Sequence, residues 1–144
     1  MSLEEIYAAI PHRPPFLLVD EIVERSEQRI VCRKTFRDDE WYFAGHYPGH
    51  PIAPGVILCE AAMQAGAILL AQFTPTLSRG LPVAARMRDV RFKRIVRPGE
   101  TIEMEVEMTH RVTKAWFLKA TVTCGGQLAV RFEFTCAVAP STRE

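Results

Sequence analysis

The most regular feature of the chain is the alternation of apolar and polar positions in its C-terminal half. From Thr101 to Thr109, Ile102, Met104, Val106 and Met108 fall on one side, and Glu103, Glu105 and Glu107 on the other. Trp116–Cys124 repeats the pattern, with Trp116, Leu118, Ala120 and Val122 against Lys119, Thr121 and Thr123. Leu128–Val138 does so again, setting Leu128, Val130, Phe132, Phe134, Cys136 and Val138 against Arg131, Glu133 and Thr135. A period of two marks strands buried on one face. Gly125-Gly126 should join the last two as a tight hairpin, because glycine accepts the positive φ such turns need. Upstream, Phe16–Glu24 and Arg29–Phe36 are rich in Leu, Val and Ile and suit two more strands. Residues 3–9 suit a short helix that stops before Pro11.

One segment follows a different rule. Val56–Phe73 holds good helix formers and no proline until Pro75 ends it. It is apolar almost all round, and Ala61, Ala62, Ala65, Gly66 and Ala67 allow close approach. A helix apolar on every side belongs in a core. The expected architecture is therefore α+β, an antiparallel sheet wrapped around one long central helix, in a single domain over residues 1–144.

Composition narrows the function more than the fold. Hydrophobic residues make up 48% and charged residues 24% of 144, which is ordinary globular usage. The net charge of +1 selects neither nucleic acid nor membrane as a partner. Yet Arg79, Arg86, Arg88, Arg91, Lys93, Arg94 and Arg97 face only Asp89 in their stretch, a local net of +6. That run is either a solvated strand and loop or a docking patch for an acidic partner. Cys32, Cys59, Cys124 and Cys136 share no C-x-x-C spacing and read as buried free thiols. The N-terminus lacks an apolar signal core, and Glu60 and Gln64 interrupt the longest apolar stretch, so a cytoplasmic protein without a membrane span is expected.

Glu60 is the most informative residue. It stands inside a helix with no polar face to receive it, and burying an ionised carboxylate costs several kcal/mol unless it is compensated. Either it reaches solvent or an arginine, or it is kept for chemistry. Gln64, one turn later, can hydrogen-bond it. His46 lies in the loop before the helix, among Pro48, Pro51 and Pro54, which fix the loop's shape. Histidine's ordinary pKa of about 6.5 suits a general base. His12 and His50, beside prolines in turns, are weaker candidates, and His110 reads as surface. Gly55 follows Pro54 at the helix start, where free N–H groups can hold a developing oxyanion, although a plain helix-start glycine looks the same. No G-x-G-x-x-G, Walker or G-x-S-x-G pattern is present. His46 and His50 lack a third ligand at a convincing spacing, which argues against metal.

These residues resemble a known family. The run from Gly45-His46-Tyr47-Pro48-Gly49-His50-Pro51 through Pro54-Gly55-Val56 to Glu60-Ala61-Ala62-Met63-Gln64 resembles the signature of FabZ-type 3-hydroxyacyl-acyl-carrier-protein dehydratases. Ile10-Pro11-His12-Arg13-Pro14-Pro15-Phe16-Leu17-Leu18-Val19-Asp20 looks like their N-terminal motif. Asp89-Val90-Arg91-Phe92 with Pro98-Gly99-Glu100 is similar to their later strand and turn. The resemblance implies a hot-dog fold and homodimers assembled into a hexamer, a trimer of dimers, with His46 facing Glu60 of a neighbouring chain. It implies that His46 takes the proton α to a thioester carbonyl and Glu60 protonates the departing 3-hydroxyl. Gln64 would steady Glu60, the Gly55 N–H would hold the enolate-like oxygen, and neither cofactor nor metal is required. The partner it implies is an acyl carrier protein, for which Arg91, Lys93 and Arg94 are the candidate docking residues.

Glutamate at position 60, where related dehydratase–isomerases usually have aspartate, favours simple dehydration. Ala53 stands where the family usually has methionine, and Pro82-Val83-Ala84 lacks a tyrosine often found gating the acyl tunnel. Both departures bear on the tunnel rather than on the acid/base pair. The alternatives are a dehydratase of a specialised lipid or polyketide pathway, an acyl thioesterase, and a non-catalytic acyl-binding protein. A thioesterase would release free thiol, and a binding protein would tolerate loss of His46.

Overall fold

The computed structural model describes residues 3–76 and 80–140. Helix α1 (Leu3–Ala9) leads into strands β1 (Glu21–Arg25) and β2 (Arg29–Thr35). The central helix α2 (Gly55–Leu70) runs on as a 3-10 turn over Ala71–Thr76, and strands β3 (Gly80–Phe92), β4 (Thr101–Val112), β5 (Ala115–Cys124) and β6 (Gln127–Pro140) follow. The six strands form one sheet in the order β1-β2-β4-β5-β6-β3, antiparallel throughout.

The alternation becomes register. Val106 opposes Ala120, and Ala120 opposes Phe132, so the apolar set of three strands lines a single face. That face closes on α2. A Cβ added to Gly66 would lie 2.8 Å from the Phe134 ring, so the helix backbone sits directly on the sheet. The outward residues pair by charge, Arg29 with Glu105 and Arg33 with Glu103, as exposed ion pairs that contribute little. Gly125 and Gly126 take φ of +58° and +79° in the hairpin between β5 and β6. The result is the hot-dog arrangement, a sheet curled around one helix. By length and composition Gly55–Phe73 could cross a bilayer, but 61% of that stretch is buried inside this fold. The four cysteines are free and buried, and burial pushes the Cys32 thiol up to about 12.

Three expectations are refined. The basic run, expected as a solvated strand and loop, contains the full strand β3. Bulges at Ala84/Arg86 and at Arg88/Arg91 break its alternation, and most of its residues are exposed. The expected strand Phe16–Glu24 shortens to Glu21–Arg25, because the Leu18 N–H is taken by the side chain of Gln64 instead of a neighbouring strand. The central helix begins one residue before the expected Val56 and tightens after Leu70, ahead of Pro75.

Candidate active site

Glu60 and Gln64 occupy one face of α2, beneath the segment that joins α1 to β1. Gln64 is buried, and its amide is fully used. Its Oε1 accepts from the Leu18 N–H at 2.7 Å, and its Nε2 donates to the Phe16 carbonyl at 2.9 Å and to Glu60 Oε2 at 3.1 Å. The backbone partners fix which end of the amide is oxygen, so a donor necessarily points at Glu60. The helix is thus not apolar all round here. Glu60 keeps 26% of its side chain exposed, and its Oε2 stands 4.0 Å from His12 Nε2. The sequence ranked His12 low because it sits in a proline turn. Only the fold shows that this turn lies over α2.

His46 is held from both sides by backbone. Its N–H donates to the Phe43 carbonyl at 3.2 Å, and its ring Nδ1 lies 2.9 Å from the Ile52 carbonyl oxygen. A carbonyl can only accept, so Nδ1 carries the hydrogen and the neutral ring keeps its lone pair on Nε2. The Tyr47 ring meets the imidazole edge-on, 4.8 Å between centroids, and Tyr47 itself takes a positive φ of 56°, a strained choice for a bulky residue. The loop closes with Ala53 N–H donating to the Val96 carbonyl at 2.7 Å. His50 is exposed, and among the described residues only its backbone N–H is engaged, on Tyr47.

Gly55 opens α2, and its N–H has no hydrogen-bond acceptor among the described residues. A Cβ on it would lie 2.5 Å from the Phe92 ring, so glycine here permits close approach of that ring. No hydrogen bond or ion pair joins His46 to Glu60 within one chain among the described residues. Of the three candidate docking cations, Arg94 is spent, its guanidinium donating to Glu100 and to Gln127. Arg91 and Lys93 carry no side-chain bond among the described residues, and Arg91 opposes Arg131 directly across the β3–β6 ladder.

Known proteins resemble this chain over most of its length. Residues 10–133 match the family model of the FabA-like domain. The 3-hydroxyacyl-[acyl-carrier-protein] dehydratase FabZ of Chloroflexus aggregans is 42% identical over 144 residues, covering 99% of this chain and 99% of that protein. The protein of the same name from Clostridium perfringens is 40% identical over 138 residues, 96% of this chain and 99% of that one. Among solved structures, the dehydratase heterocomplex ApeI:P from Xenorhabdus doucetiae superposes with a TM-score of 0.79 over 95% of this chain and 92% of its own, at 16% identity, a likeness of fold. With the fold and the extent of these matches agreeing, the chain belongs to the FabA-like family, among its FabZ-type members.

Proposed function

We propose that this protein removes water from (3R)-3-hydroxyacyl thioesters on acyl carrier protein, giving trans-2-enoyl thioesters for fatty acid biosynthesis in the cytoplasm. The single observation that carries the chemistry is the bond from His46 Nδ1 to the Ile52 carbonyl, which leaves Nε2 as a ready base. Nε2 takes the proton α to the thioester carbonyl, and the electron pair moves onto the carbonyl oxygen, where the Gly55 N–H can hold it. Glu60, protonated, gives its proton to the 3-hydroxyl as the C–O bond breaks, and water leaves. The new double bond forms as the oxyanion collapses. A proton passing from the imidazolium to Glu60 through solvent resets the pair. Gln64 keeps Oε2 in place throughout.

The two reacting groups are not bonded within one chain, and the reading places them together across a homodimer, three of which make a hexamer. Its support is strand β3, which ends the sheet with one edge unpaired among the described residues and exposes Val83, Met87 and Phe92, while Val56 at the start of α2 is 72% exposed. The acidic carrier would dock at Arg91 and Lys93. The facing arginines on β3 and β6 repel one another in the free protein and would be relieved by an anion.

The test is hydration of a short enoyl thioester, followed as loss of the conjugated chromophore. His46→Ala and Glu60→Gln should each lower the rate by about 10²–10⁴. An inert wild-type protein, or a His46→Ala variant as fast as wild type, defeats the reading. Release of free thiol from an acyl thioester would identify a thioesterase instead.

A further inference from the structure

Lys34 and Glu40 are almost wholly buried, 2% and 8% exposed, and none of the chemistry above uses them. Lys34 Nζ reaches both carboxylate oxygens of Glu40, at 3.0 and 2.8 Å, and the Arg37 N–H donates to Oε2 at 2.9 Å. A buried ion pair is poor value for stability, since apolar residues of the same size commonly do as well. What the pair does have is position. Lys34 is anchored in β2, whose ladder with β4 runs unbroken from Arg29 to Thr35. Glu40 begins the turns that lead to His46. Its carbonyl accepts the Phe43 N–H at 3.1 Å, and the Phe43 carbonyl accepts the His46 N–H at 3.2 Å. Two consecutive turns therefore carry the location of the Glu40 carboxylate to the backbone of His46. Phe36, edge-on to both Tyr42 and Phe43 at 6.1 Å, packs the same turns against β2.

We infer that the Lys34–Glu40 pair is a positioning device for His46, fixing the Glu40–His46 turns on the sheet so that the imidazole keeps its bond to the Ile52 carbonyl. The inference rests on the proposed role of His46 for its kinetic consequence, but not for its structural one. A hydrophobic pair could fill the same space, but without direction. A bidentate charge-assisted contact fixes a distance and an orientation together. Displacing a reacting group by about 1 Å is enough to cost about a hundredfold in rate.

The experiment compares two double variants of the full-length protein. Lys34→Met with Glu40→Leu removes both charges and all the directed bonds. Lys34→Gln with Glu40→Gln removes the charges but keeps polar, hydrogen-bonding groups. Each is measured for kcat and KM with a short enoyl thioester, and for the imidazole nitrogens of His46 by ¹⁵N NMR, assigned with His46→Ala. The apolar double should lose about 10- to 100-fold in kcat with KM within threefold of wild type, and its His46 should lose the fixed Nδ1–H tautomer. The amide double should recover most of both. An apolar double with wild-type kcat and tautomer overturns the inference, as does a fall in kcat with the His46 signals unchanged. Loss of the tautomer without loss of kcat would count instead against His46 as the base. Should the apolar double not fold, the single variant Glu40→Gln decides, and unchanged His46 signals there overturn the inference.

Discussion

Gln64 and Glu60, one helical turn apart, share a 3.1 Å hydrogen bond whose direction is set by residues far away in the chain. The Leu18 N–H and the Phe16 carbonyl hold the Gln64 amide from the other side, so the N-terminal segment determines which atom Glu60 meets. Replacing Gln64 with Leu keeps the volume but orphans a buried N–H and a carbonyl. Each such group costs about 1–3 kcal/mol, so the variant should lose about 2–5 kcal/mol and melt roughly 5–15 °C lower. Enoyl hydration at a temperature where it remains folded should fall as well. Thermal melting and rates below the transition check both, and a variant that melts with wild type would show that the clamp contributes nothing.

Charge reversal separates docking from chemistry. Arg91 and Lys93 make no side-chain bond among the described residues, so Arg91→Glu with Lys93→Glu should leave the fold intact. Turnover of carrier-linked substrate should drop at least tenfold, mostly in KM, while a small thioester analogue is processed as before. Raising the salt concentration should slow the wild type toward the variant on carrier-linked substrate only. Equal losses on both substrates would place these cations in the chemistry or the fold. Arg94, bound to Glu100, should give a stability defect when removed instead of a docking defect.

Much of this molecule is readable in its sequence, and the unreadable parts share a cause. β4, β5 and β6 are half-buried, and α2 is enclosed, so their hydrophobic period is the direct imprint of the core. β3 is legible only as a solvated strand and loop, because its hydrophobic period is broken and most of its residues are exposed. Two bulges shift its register, and its apolar residues Val83 and Met87 lie exposed beside Arg86 and Arg88. Phe16–Asp20 escaped because Leu18 and Val19 are both buried in succession, with the backbone satisfied by a side chain 46 positions away. The same long-range contact hid His12. Glu60 and Gln64 could be paired from their spacing, but no local pattern tells which turn of the chain will cover them.

Acid should expose the Lys34–Glu40 pair in the stability of the protein. Burial opposes the charge on Glu40, but the Lys34 ammonium and the Arg37 N–H outweigh it and hold the carboxyl below its ordinary 4.5. The folded state therefore binds this proton less readily than the unfolded state. The stabilisation is complete above pH 4.5 and drains away as pH falls through the lower folded value. Glu100, depressed by Arg94 and the Arg97 N–H, adds a smaller share because its side chain is 32% exposed. Melting temperature should fall below pH 4.5 in the wild type, and less steeply in the Lys34→Met, Glu40→Leu double variant. Parallel slopes for the two proteins would mean that Glu40 contributes nothing to the acid limb.

The open edge of β3 makes the sharpest prediction about assembly. A strand of this length, with one edge unpaired among the described residues and apolar side chains exposed, is a template for a second copy, and charge along it is the usual way to prevent pairing. Met87 is 40% exposed in the single chain, so Met87→Lys should change the stability of an isolated subunit by no more than about 0.5 kcal/mol. If β3 meets β3 in a homodimer, the same lysine sits where two copies approach, and each subunit brings one. Sedimentation at micromolar concentration should then show a shift from the wild-type assembly toward single chains, with the circular dichroism of a folded sheet retained. Enoyl hydration should fall in step with the loss of assembly, since His46 and Glu60 would no longer be held together, and should return as protein concentration is raised. A Met87→Lys protein with unchanged mass and rate would move the interface away from β3 and, with it, the partner of His46.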